Sequence, residues 1–171
     1  MNIAYALRDT PSHRRLQRNQ CADILSVEVS FREPVHAITL VRLNDNGYAL
    51  RTYSLIDLIA EKFRALLQQE SRNRNRRQDI YDLAYLIQEL PPSRGERKEI
   101  FAALLEKAEA RGITPTIESL SAPAVRKRAA EEWHTLALEI SELPDFGPTF
   151  DRVERFYRSL PWTGRTGESL P

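Results

Sequence analysis

Residues 54–90 read SLIDLIAEKFRALLQQESRNRNRRQDIYDLAYLIQEL, and this stretch decides the fold. Leu55, Leu58, Ile59, Phe63, Leu66 and Leu67 recur every three to four residues, which predicts an amphipathic helix running to about Gln69. Ser54, with Asp57 three residues later, approximates a capping box at its start, Asp standing in for Glu. Residues 71–77 are polar, basic and poor in apolar side chains, so they read as a loop. A second helix is predicted from about Gln78 to Leu90, stopped by Pro91-Pro92. Two helices joined by a short basic connection thus form the centre of the chain.

Upstream, residues 1–53 read as strands and turns. Ile24 to Phe31 alternates, with Ile24, Ser26, Glu28 and Ser30 on one face and Leu25, Val27, Val29 and Phe31 on the other; Pro34 ends the run. A second strand is predicted over Ala37 to Leu43 and a third over Tyr48 to Thr52. Asn44-Asp45-Asn46-Gly47 between them is a turn signal, since Asn and Gly tolerate positive φ. The expectation is a hairpin plus one neighbouring strand. Downstream, helices are predicted at about 96–111 with Gly112 as terminator, from Pro123 to about Ile140, and at about 149–160; the tail 163–171 is expected to be disordered. Strands first and helices after argue for an α+β fold, a small mixed or antiparallel sheet packed against the helix around Lys62 and then a helical bundle. The expected division is 1–70 for the sheet region with its first helix, 71–160 for the helical domain and 161–171 for the tail.

Composition sets bounds. A hydrophobic fraction of 42% supports a real core. Net charge is +1, which gives no global bias toward nucleic acid or membrane. The charges are nevertheless clustered, Arg14, Arg15 and Arg18 in one group and Arg72, Arg74, Arg76 and Arg77 in another. Such a group is either a solvated loop or a phosphate-contacting surface, because Arg offers planar bidentate donors. A single cysteine, Cys21, excludes an intrachain disulfide and a zinc knuckle. No apolar run approaches the roughly 20 residues that span a bilayer, and Met1-Asn2-Ile3 does not open a signal peptide, so a cytoplasmic location with no membrane partner is expected. His13, His36 and His134 lie far apart, and no Ser, Cys or His arrangement suggests a hydrolase triad.

Three features break their local pattern. Lys62 lies three residues after Ile59, four before Leu66 and next to Phe63, so it borders the apolar stripe. It must snorkel to the helix edge or meet a carboxylate or phosphate, because an unpaired buried ammonium is costly. Asp79 and Asp82, three apart on the next helix, can project from one side of it toward Lys62. Asp79 could equally serve the helix dipole, whereas Asp82 sits inside a helix among Ile80, Tyr81, Leu83 and Leu86, where aspartate is a poor choice. A lysine facing two aspartates suits phosphoryl or nucleotidyl transfer: the lysine neutralises phosphate charge, and an aspartate holds it or takes a proton from the attacking hydroxyl. Glu28 is the third feature, a carboxylate on a strand face shared with Ser26 and Ser30.

The run from Tyr53 through Ala60-Glu61-Lys62-Phe63-Arg64-Ala65-Leu66 is similar to a helix of the AbiEii/AbiGii toxin family, and Arg77-Gln78-Asp79-Ile80-Tyr81-Asp82-Leu83 resembles the helix that follows it there. Ser26-Val27-Glu28-Val29-Ser30-Phe31-Arg32-Glu33 looks like the preceding strand, so the resemblance spans about residues 24–90, the C-terminal portion of the family's pattern. The resemblance implies a nucleotidyltransferase-like fold with a helical domain, and the toxin of a type IV toxin–antitoxin, abortive-infection system. Such a toxin moves a nucleotide from a nucleoside triphosphate, with Mg²⁺, onto an RNA acceptor such as tRNA, and a cognate antitoxin opposes it. Carried over, Lys62 contacts the triphosphate, Asp79 or Asp82 works with it, Asp79 being preferred, and Glu28 stands at a metal-facing position. Arg72, Arg74, Arg76 and Arg77 would then bind nucleic acid. The family's Gly-Ser element and Asp-x-Asp strand have no counterpart, since no Asp-x-Asp occurs and no Gly precedes Gly47. The isolated chain is therefore expected to be inactive until a missing or complementing N-terminal half supplies them. The alternative is a non-catalytic nucleic-acid- or protein-binding subunit derived from the family.

Overall fold

In the computed structural model, residues 2–20, 23–26, 34–42, 47 and 49–162 are described. Glu28, Cys21, the turn residues 44–46, strand residues 27–31 and the tail 163–171 lie outside them. The chain divides into two units, Met1–Glu33 and Pro34–Pro171.

The first unit pairs β1 (Asn2–Ala4) antiparallel with β2 (Ile24–Ser26), Ile3 opposite Leu25. Between them lies α1 (Pro11–Gln17), a helix in a stretch expected to hold only strands and turns. The sequence did carry its start signal. Thr10 caps the helix, its side chain accepting from the His13 amide, and Pro11 takes the first turn, where its missing N–H costs nothing. Arg14 and Arg15 therefore belong to a helix and not to a loop.

The second unit begins with a hairpin, β3 (Ile38–Arg42) antiparallel to β4 (Ala49–Tyr53), with Leu40 opposite Arg51 and Val41 opposite Leu50. Gly47 has φ +81°, the left-handed geometry that glycine adopts without strain. Among the described residues the strand at Ile24 is paired with β1, and the strands form two two-stranded antiparallel sheets, where a hairpin plus one neighbouring strand was expected. The alternation of residues 24–31 fixes which side chains share a face but not which strand lies alongside. Every residue of β3 is exposed, Leu40 by 62%, so the sheet adds nothing to the core.

The core is helical. It is built by α2 (Leu55–Leu67), α3 (Arg77–Glu89), α4 (Arg94–Glu109), α5 (Pro123–Ala130) and α6 (Phe146–Arg158), with 3₁₀ turns at Ser119–Ser121 and Trp133–Leu138. Helix α2 lies mainly against α4, and α3 against α6. Ile59, Phe63 and Leu66 of α2 are fully buried with Ile80, Leu83, Ile100, Leu104, Val153 and Tyr157. Phe63 stacks on Phe156 at 6.1 Å between ring centroids and meets Tyr157 at 5.2 Å. Trp133, Phe156 and Tyr157 are core residues.

Local chemistry sets the helix ends. Ser93 and Glu96 form a complete capping box that starts α4, and Gly112 at φ +67° follows its last turn. The helix predicted to run to Ile140 ends at Ala130. Glu132 turns to φ +58° and redirects the chain, so that Trp133 packs edge-on against Phe146 and its indole N–H donates to the Pro144 carbonyl. No glycine or proline marks this break. Ser54 caps α2 as predicted, its hydroxyl accepting from the Asp57 amide, but the Asp57 carboxylate does not return the bond. It accepts from the Ala37 amide at 3.1 Å and faces the Lys107 ammonium at 2.6 Å. Lys107 also donates to the Pro34 carbonyl, so this buried pair ties the approach to β3 onto α2 and α4.

Candidate active site

The apolar stripe of α2 turns Ile59, Phe63 and Leu66 into the core and leaves Lys62 at its border. Helix α3 packs beside α2 through Ile80 and Leu83, and the same register brings Asp79 and Asp82 to Lys62. The Lys62 ammonium donates to Asp79 Oδ1 at 3.0 Å and to Asp82 Oδ2 at 2.6 Å. Lys62 therefore does not snorkel; its side chain is 16% exposed and doubly paired. Arg76 adds a second, longer contact to Asp79 at 3.5 Å.

The connection between the helices is built, not loose. Gln69 is fully buried and its amide donates to the Val125 carbonyl at 2.7 Å. The Arg72 amide bonds to the Gln68 carbonyl, the Arg74 amide to that of Gln69, and Asn73 takes φ +48° to close the turn. This fixes Arg76 and Arg77 at the start of α3.

The triad opens onto a cavity of about 400 Å³ lined by Lys62, Asn75, Arg76, Arg77, Gln78, Asp79 and Asp82. No side chain caps the N-terminus of α3, so its first amides and its dipole add positive potential there. The Nε–H groups of Arg76 and Arg77 are buried without an acceptor. Arg77 also pairs with Glu132, so it is the spare Nε–H donors of Arg76 and Arg77, together with the amides that open α3, that suit the site to an anion carrying several oxygens. Sequence reasoning missed Asn75 and Gln78, which carry no charge or period to single them out.

Burial pulls the Lys62 pKa down, but the hydrogen bonds and charges of Asp82 and Asp79 outweigh it and hold the ammonium above the ordinary lysine value. A raised folded pKa stabilises below the unfolded value and is lost as pH climbs through the folded one. The stability difference between the native chain and Lys62→Met is therefore expected to stay constant up to about pH 10.4 and shrink above it. Urea midpoints on either side of that value check this, and a difference that persists in alkali would contradict it.

The other predicted site residues divide. Arg72 and Arg74 are exposed on the connection, whereas Arg76 and Arg77 line the cavity and pair with Asp79 and Glu132. Among the described residues no group of three or more His, Cys, Asp or Glu could hold a metal ion. Asp79 and Asp82 are both committed to Lys62, so this donor set does not fit Mg²⁺, which wants several free oxygens in octahedral array. No described helix is long and apolar enough to cross a membrane.

Among known proteins, the family model described as "Nucleotidyl transferase AbiEii toxin, Type IV TA system" matches residues 10–155, well beyond the motifs at 24–90. No curated protein and no solved structure gives a match.

Proposed function

The chain belongs to the AbiEii nucleotidyl transferase toxin family of type IV toxin–antitoxin systems, and from that premise we propose that the Lys62 cavity seats the triphosphate of a nucleotide donor for transfer to an RNA such as tRNA. The observation that carries this is a lysine clamped between two aspartates at the floor of an open, arginine-rimmed cavity. In the reaction a hydroxyl oxygen of the acceptor bonds to the α-phosphorus, the bond from that phosphorus to the bridging oxygen breaks, and pyrophosphate leaves. Lys62, Arg76 and Arg77 neutralise the charge that builds on the phosphate oxygens. Asp79, held also by Arg76, orients the lysine. Asp82, with one cationic partner and the more exposed carboxylate of the two, accepts the hydroxyl proton.

The metal-binding carboxylates of such a reaction come, in this reading, from a complementing polypeptide or segment that carries Asp-x-Asp. The β3–β4 hairpin supports this. A two-stranded hairpin is marginal by itself, no further strand pairs with its edges among the described residues, and Ile38, Leu40, Val41, Leu50 and Tyr53 expose apolar surface there. A cognate antitoxin is the other partner that the family implies.

The test incubates the chain with labelled nucleoside triphosphates, Mg²⁺ and total tRNA, alone and together with a polypeptide carrying the Gly-Ser and Asp-x-Asp elements. The expected result is no labelled RNA with the chain alone and labelled RNA with the mixture. Labelling by the chain alone would remove the need for a complementing half. RNA binding without labelling in either sample would leave the non-catalytic subunit ahead.

A further inference from the structure

We propose that helix α5 extends the cavity into a track for the phosphate backbone of the acceptor nucleic acid, with Lys127 and Arg128 joining Arg72 and Arg74 of the connection. The proposal rests on reading the Lys62 cavity as the place of transfer.

Three observations carry it. First, the connection and α5 are separated by some fifty residues in sequence yet are locked together. Buried Gln69 donates to the Val125 carbonyl at 2.7 Å, and Arg128 Nη1 donates to Asn73 Oδ1 at 3.1 Å. Arg128 is thereby held beside Asn73, which Arg72 and Arg74 flank. Second, the cations there divide by partner. Arg76, Arg77 and Arg126 are paired with Asp79, Glu132 and Asp151. Arg72, Arg74 and Lys127 have no carboxylate partner among the described residues, and Arg128 spends its hydrogen bond on a neutral amide. The cations without a carboxylate partner among the described residues thus lie on the connection and α5. Third, the connection is an ordered turn, so the backbone positions that carry Arg72 and Arg74 are fixed.

A mononucleotide donor would be satisfied inside the cavity and has no use for four further cations. A polyanion whose end must reach the cavity does. Its backbone has to leave past Arg76 and Arg77, and successive phosphates would meet Arg72, Arg74, Arg128 and Lys127. Arginine suits this through its bidentate donors, and the recognition reads charge and not base identity.

The experiment measures binding of the full chain to a fluorescent RNA hairpin with a single-stranded 3′ end across a salt series, and separately to a labelled nucleoside triphosphate. Lys127→Glu/Arg128→Glu is expected to weaken RNA binding at least tenfold and to reduce the slope of log affinity against log salt by about one to two. Triphosphate binding should be unchanged. The gentler Lys127→Gln/Arg128→Gln should move the same way by less, with thermal melting confirming that both variants fold. Unchanged RNA affinity and slope in folded variants would overturn the track, as would an effect confined to binding of an acidic protein. If the native chain binds RNA with the expected slope change but no triphosphate, the cavity reading fails and the track stands.

Discussion

In the mixture of the chain with the proposed complementing polypeptide, Lys62→Ala is expected to lower nucleotidyl transfer by about 10²–10³-fold, the loss typical when one preorganised donor to developing charge is removed. The substitution does more than delete a cation. It leaves Asp79 and Asp82 at the cavity floor with their shared partner gone, so two negative charges now face the incoming phosphates. Lys62→Arg is expected to recover only part of the activity, because a planar fork cannot reproduce contacts of 3.0 and 2.6 Å from one ammonium to two carboxylates. Asp82→Asn should remove the proton acceptor while keeping the amide oxygen toward Lys62. It is expected to reduce the rate with little change in triphosphate affinity. Single-turnover labelling of RNA reads all three. Activity of Lys62→Ala within a few-fold of native would remove the lysine from the chemistry.

Lys107→Ala is expected to destabilise the second unit by about 3–5 kcal/mol, the cost of breaking a buried ion pair from one side. Asp57 is completely buried and Lys107 is 2% exposed. The ammonium reaches Asp57 Oδ1 and the Pro34 carbonyl, both at 2.6 Å, and lies over the Tyr53 ring at 5.7 Å from its centroid. Removing it strands a carboxylate in the interior and frees the segment that leads into β3. Asp57→Asn/Lys107→Met should cost clearly less, because no unpaired charge remains and the Asn amide oxygen can still accept from the Ala37 amide. Urea denaturation with an unchanged m-value measures both. Equal losses for the single and double variants would show that packing, and not charge, sets the energy.

The helical half of the molecule was legible because burial imposes a period. Ile59, Phe63 and Leu66, and then Ile80 and Leu83, repeat at helical spacing, and each of them is fully buried. What failed was pairing and local redirection. Alternation along residues 24–31 cannot choose a partner strand, and the pairing of Ile24–Ser26 with Asn2–Ala4 was not foreseen. The break after α5 rests on Glu132 in a left-handed conformation, which is stabilised by burying Trp133 and carries no glycine signature. Helix α1 and the capping box of α4 were written in Thr10-Pro11 and in Ser93 with Glu96, and the surrounding strand-like pattern outweighed the first of these.

The pairing of Lys62 with Asp79 and Asp82 was legible because a charge on an apolar stripe needs a partner, and two carboxylates stood one helix away. Lys107 obeys an identical rule, three residues after Leu104 and beside Ala108, yet its partner Asp57 looked satisfied as a helix cap. A residue with a plausible local role conceals a distant one. Arg128 was hidden for another reason, since its contact with Asn73 exists only because Gln69 draws α5 against the connection.

The most direct measurement is calorimetric titration of the chain with a non-hydrolysable nucleoside triphosphate, native beside Lys62→Ala. Saturable binding by the native chain, weakened at least tenfold by the substitution, is the predicted outcome, a loss that matches removal of one charge-assisted contact. No binding by the native chain, or the same affinity in both proteins, would mean that the lysine between its two aspartates is a structural clamp and not the seat of a triphosphate.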